Sequence, residues 1–233
     1  MRAFGRAVPG RKWVGPALTL AAALALSAVY LDPRSDKGDF ERGLLFTLTR
    51  YDLALPLLGT TFALALAPLQ LCVAGLVLFA LGISLGSFVS DWIAILVSSH
   101  PELMGYIFLM GPLCCVVVGT GLVVFGRAGA WVGLPAAPLV GIVLGMVIDF
   151  SDPSHWSFAG GAVLAGVLLV LPPLLVWRQF ARPWFSIPGR IFGSWLIAVG
   201  AMLAAAQLIP RPPPAAEPPL AVDSPADLGD QLQ

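Results

Sequence analysis

Residues 70–97 read QLCVAGLVLFALGISLGSFVSDWIAILV, a run with one formal charge, Asp91. It exceeds the roughly 20 apolar residues that a helix needs to cross a hydrocarbon core about 30 Å thick. Helix is the form such a segment takes in lipid, because its N–H and C=O groups find no water there and must pair within the segment. Comparable runs recur at 13–31, 43–66, 103–126, 131–150, 156–177 and 191–209, so seven spans are predicted. Composition agrees: 58% of the 233 residues are hydrophobic and 11% are charged. A soluble domain carries roughly 25% charged residues, so this chain has too little polar surface to cover a globule in water. The expected fold class is all-α, a polytopic transmembrane helical bundle of about seven helices.

Three segments divide the chain. Residues 1–31 hold Arg2, Arg6, Arg11 and Lys12 ahead of an apolar run that ends near Ala25-Leu-Ser-Ala28. That pattern suits a first span or signal-anchor, and equally a cleaved secretory signal, which would leave six spans. Residues 32–209 are the bundle. Residues 210–233, opening on Pro210-Arg-Pro-Pro-Pro214 and followed by Glu217, Asp223, Asp227 and Asp230, read as a disordered, Pro-rich acidic tail. The tail is either a solvated end or a docking segment for a membrane partner.

Charge sets the expected orientation. With the N-terminus in the cytoplasm, the cytoplasmic segments hold the four N-terminal cations, then Arg127, then Arg178, Arg182 and Arg190. The opposite side receives the mixed loop 32–42 and the turns at 98–102 and 151–155. This is the positive-inside pattern, and it predicts an N-in, C-out protein of a bacterial inner membrane. Trp131, Trp156, Trp177, Trp184 and Trp195 fall near predicted span ends, where amphipathic rings favour the interface. The formal net charge is zero and no Lys/Arg patch could neutralise a run of phosphates, so nucleic acid is excluded as a partner.

Small residues set the expected packing. Lipid tails are as apolar as leucine, so helices associate in a bilayer through close approach. Gly82-Ile-Ser-Leu-Gly86, Gly141-Ile-Val-Leu-Gly145, the group Gly160, Gly161 and Gly166, and the pair Gly193 and Gly200 all suit such contacts. Pro56 and Pro112 fall inside predicted spans and are expected to kink them. Cys72, Cys114 and Cys115 lie in apolar runs and read as small buried hydrophobes, with a soft-metal site at the vicinal pair as the alternative.

The informative residues of a membrane protein are the ionisable ones at membrane depth. Here they are Arg50 and Asp52 in the second span, Asp91 in the third and Asp149 closing the fifth, with His100, Glu102, Asp152 and His155 just outside. All fall on the predicted outer side. Asp52, Asp149, Asp152 and His155 form a candidate metal set, since carboxylates with an imidazole suit nickel, cobalt or zinc. The competing reading is that acids gather on the non-cytoplasmic side and that Arg50 pairs with a carboxylate. No His-Glu-x-x-His, Gly-x-Ser-x-Gly or Gly-rich phosphate loop with lysine occurs, so no enzyme and no resident cofactor are expected.

The stretch Gly43-Leu-Leu-Phe-Thr-Leu-Thr-Arg-Tyr-Asp52 resembles the first membrane motif of the HupE/UreJ family, in which a Gly-x-x-His stretch leads to an Asp-His pair. Leu144-Gly-Met-Val-Ile-Asp-Phe150 is similar to that family's second motif, and Arg190-Ile-Phe-Gly-Ser-Trp195 to the start of its last helix. The resemblance spans most of 43–209 and implies a nickel or cobalt permease. Of the ligands it implies, Asp52 carries over; the first-motif histidine is Phe46 here, Leu53 follows Asp52, and Ile148 or Asp149 stands where the second-motif histidine would be. Two functions are therefore expected in competition: a divalent-metal permease, and a non-transporting subunit or assembly factor that meets membrane partners through helix faces or the tail.

Overall fold

The computed structural model describes residues 13–32, 37–100, 104–125, 129–152, 156–180 and 186–209. They form helices throughout: α1 (Val14–Leu31), α2 (Asp39–Thr49), α3 (Tyr51–Ala65), α4 (Leu69–Ser99), the single turn α5 (Met104–Ile107), α6 (Met110–Phe125), α7 (Gly129–Ser151), α8 (Trp156–Phe180) and α9 (Ser186–Leu208). Four stretches are long and apolar enough to cross a membrane: Leu69–Ser99, Gly133–Ser151, Trp156–Gln179 and Ile187–Leu208. The apolar helices Gly15–Leu31, Tyr51–Ala65 and Met110–Val124 are shorter.

The solvent preference of α4 is inverted relative to a soluble protein. Its buried face carries Cys72, Gly75, Gly82, Gly86 and Ser90 beside the single large residue Phe79. Its outer face is a helical stripe of Val73, Val77, Leu81, Phe88, Trp92 and Ile95. Small residues inside and large apolar ones outside suit a helix whose solvent is lipid.

Helix pairs come together at glycines, most closely in the following cases. Gly86 packs on the Ile142 carbonyl of α7, while Gly141 and Gly145 pack on the Phe79 and Ile83 carbonyls of α4, the two helices running parallel. Helices α6 and α9 cross antiparallel, and a Cβ on residue 119 would lie 2.6 Å from Gly193 O. Helices α2 and α8 run parallel, with Gly43 against the Phe158 carbonyl and Gly161 against that of Phe40; Thr47 Oγ1 donates to Ala162 O at 3.1 Å beside them. Around these contacts Leu57, Val118, Ala137, Ala162 and Leu196 are fully buried.

Several expectations change. The predicted second span is two helices, starting earlier at Asp39 and broken at Arg50, whereas Pro56 lies within the continuous helix α3. Pro112 is the third residue of α6, a first-turn position where a missing N–H has no intrahelical acceptor to lose. Helix α9 begins at Ser186, which puts Trp195 well inside the helix instead of at its end. Gly160 has open space where a side chain would go and makes no interhelical approach. The tail 210–233, the N-terminal cations, Glu102, Arg127, His155, Arg182 and Trp184 lie outside the described residues.

Candidate functional site

Arg50 alone separates α2 from α3. Its backbone is extended, with φ −85° and ψ 92°. Its N–H donates back to Phe46 O at 3.2 Å, and its carbonyl accepts from Leu53 N at 3.0 Å and Ala54 N at 2.9 Å. One residue thus closes one helix and opens the next. Asp52 sits in the first turn of α3, where the helix dipole favours a carboxylate. The Arg50 guanidinium grips it at both oxygens, Nε to Oδ1 at 3.1 Å and Nη2 to Oδ2 at 3.2 Å. The side chains are 31% and 22% exposed, so the pair is mostly enclosed yet reachable. Phe46 lies with its ring centroid 5.3 Å from Arg50 Cζ, a cation–π arrangement, and rests in turn on Phe158 at 5.4 Å.

Beside the pair is a recess of about 200 Å³, whose walls include Phe108, Gly111, Phe150 and Ser151. Pro56 has no N–H to offer the Asp52 carbonyl four residues back, so that oxygen loses its helical partner. Gly111 fits against it: a Cβ there would lie 2.9 Å from Asp52 O and 3.2 Å from Asp52 Oδ2. Only a residue without a side chain leaves room beside these two oxygens. The eleven residues of α2, about 16 Å of helix at 1.5 Å per residue, precede Arg50, and the recess opens where α7 ends at Ser151 and α6 begins.

The remaining candidates do not share this recess. Asp149 turns to the other side of α7, where it accepts a hydrogen bond from Ser90 Oγ of α4. Asp91, the next residue on α4, is exposed on the outer face between Phe88 and Trp92. Asp152 is half-buried just past the end of α7, its N–H donating to Ile148 O at 3.2 Å. His155 is outside the described residues. Among those residues no three His, Cys, Asp or Glu side chains gather closely enough to hold a metal ion. Cys114 and Cys115 are buried and free within α6.

Sequence reasoning missed Phe46 as a platform for Arg50, Ser90 as the partner of Asp149, and Gly111 and Ser151 as walls. The spacing Asp52–Pro56 was the legible signal among these, since a proline four residues on frees a carbonyl at a charged position.

Helices that bury glycine and serine, expose large apolar stripes and enclose a charged pair define a polytopic integral membrane protein. No family model, curated protein or solved structure matches the chain.

Proposed function

We propose that the chain is a permease-like transport protein, not an enzyme, whose pathway passes through the recess at Arg50 and Asp52. The observation that carries the reading is a mostly enclosed charged pair at a helix break, beside a recess of about 200 Å³. Ionisable residues inside a membrane mark substrate pathways, and broken spans are where transporters place their sites. The oxygens available there are the Asp52 carboxylate and freed carbonyl and the Ser151 hydroxyl, which favour a small cation as cargo. Arg50 is then the resident counter-ion, exchanged at Asp52 for the incoming cation. Nickel and cobalt, the cargo implied by the family resemblance, gain much of their affinity from imidazole, and the described walls of the recess contain none.

Proteoliposomes carrying the purified protein test this with sodium, nickel and cobalt uptake. Wild type should accumulate one of them, and Asp52→Asn should abolish that uptake while still inserting and folding. Unchanged uptake in the variant, or no uptake of any of the three by wild type, overturns the reading.

One observation favours a non-transporting subunit instead: 17% of the membrane window of α9 is buried, the smallest share among the four long spans. Extraction in mild detergent distinguishes the two readings, because a subunit would leave the membrane within a larger complex and a self-sufficient permease would not.

A further inference from the structure

At the opposite end of the bundle from the acidic turns, α3, α8 and α9 enclose a lateral groove of about 630 Å³. Its floor is aromatic. Phe62 is 5% exposed, with Trp177 at 4.9 Å on one side and Phe192 at 6.1 Å on the other, centroid to centroid. Ile187, Ile191 and Trp195 form the α9 wall. The nine residues from Ile187 to Trp195, with a rise of 1.5 Å per step, make the groove about 12 Å long. Its volume falls in the roughly 300–1,000 Å³ range of ligand sites, and its lining is apolar side chains.

Two arginines lie at this end of the bundle. Arg190, exposed on α9, falls in sequence between the lining residues Ile187 and Ile191, beside the arc of the helix that lines the groove. Arg178 follows Trp177 in the last turn of α8 and spends one N–H on Ala67 O at 3.0 Å, anchoring the guanidinium at this end. An apolar slot between apolar helices, with arginines at the same end of the bundle, matches a molecule with a hydrocarbon tail and an anionic head.

We infer that this groove is a binding site for an anionic phospholipid, with one acyl chain on the Phe62–Trp177–Phe192 floor and the phosphate at Arg190. Arginine suits the head because its fork pairs with phosphate oxygens. The inference does not depend on the transport reading, since it concerns a different face and different residues.

The test uses the full chain purified in mild detergent, mixed with phosphatidylglycerol or phosphatidylcholine of the same acyl composition, with bound lipid counted by native mass spectrometry. Wild type should retain phosphatidylglycerol with about tenfold preference, corresponding to about 1.4 kcal/mol. Arg190→Gln should lose the preference while keeping chain binding. Ile191→Trp, at an already exposed position, should fill the groove and lose both lipids, with circular dichroism confirming an unchanged helical fold. Equal retention of the two lipids by wild type overturns the proposal, as does full preference in Arg190→Gln. A dimer that Ile191→Trp disperses also overturns it, because the groove would then belong to a second copy of the chain.

Discussion

At the scale of single residues, the structure turns on a salt bridge formed two positions apart across a helix break. Neither Arg50 nor Asp52 can be changed alone without leaving its partner charged in a largely enclosed place. Each of Arg50→Gln and Asp52→Asn is expected to lower stability by about 1–3 kcal/mol, below the range for fully buried pairs because both side chains keep some exposure. The double variant should cost less than the sum of the two, by about 1 kcal/mol or more. A thermal-unfolding cycle in one detergent checks this, and simple additivity would show that the pair contributes no coupling. The value of Arg50 and Asp52 was legible in the sequence because charges are scarce in apolar runs. The role of Phe46 was not, because a phenylalanine in a membrane helix is ordinary until a guanidinium is placed over its face.

At the scale of helices, adjacent glycines make opposite predictions. Gly160 faces open space, whereas Gly161 lies against the Phe40 carbonyl of α2. Gly160→Val should therefore leave the midpoint of thermal unfolding nearly unchanged, while Gly161→Val should destabilise by about 1–3 kcal/mol or more through overpacking. Loss of stability in both would mean that propensity, not interhelical contact, governs this stretch. The glycines themselves stood out in the sequence, and so did the extent of α4, since 70–97 was read there and Leu69–Ser99 is formed. Their partners did not stand out, because a small-residue pattern announces close approach without naming the helix that approaches. The break at Arg50 was hidden for a related reason: the polar stretch Thr47-Leu-Thr-Arg-Tyr-Asp52 marks a special place without fixing its backbone, and only the backbone records the extended residue.

At the scale of the whole molecule, the two ends differ in charge. Arg178 and Arg190 lie at the end of the α3–α4 turn, while Asp39, Glu41 and Asp152 lie at the other. The positive-inside rule then predicts that the arginine end is cytoplasmic. Single cysteines introduced at exposed positions, Leu69→Cys and Ser99→Cys, check this in intact cells with a membrane-impermeant maleimide. Labelling should occur at residue 99 and not at residue 69, and the reverse pattern would invert the topology. The acids seen in the sequence as one outer group are divided by α7, with Asp52 on one side of it and Asp149 on the other. Linear order showed which end they occupy but not which face of a helix each one takes.

The glycine pairs also dictate an order of biogenesis. Helix α4 meets α7 across 59 residues at Ser90 and Asp149, and α2 meets α8 across 115 at Thr47 and Ala162. During synthesis, α2 and its charged break therefore wait in the membrane until the ribosome has delivered α8. Helix α9, emerging last, closes on α6 at Gly119 and Gly193. A nascent chain halted after α7 holds the α4–α7 contacts but neither the α2–α8 nor the α6–α9 ones, and the α2 flank of its Arg50–Asp52 recess is still unclasped, which makes α8 and α9 the assemblers of the helices before them.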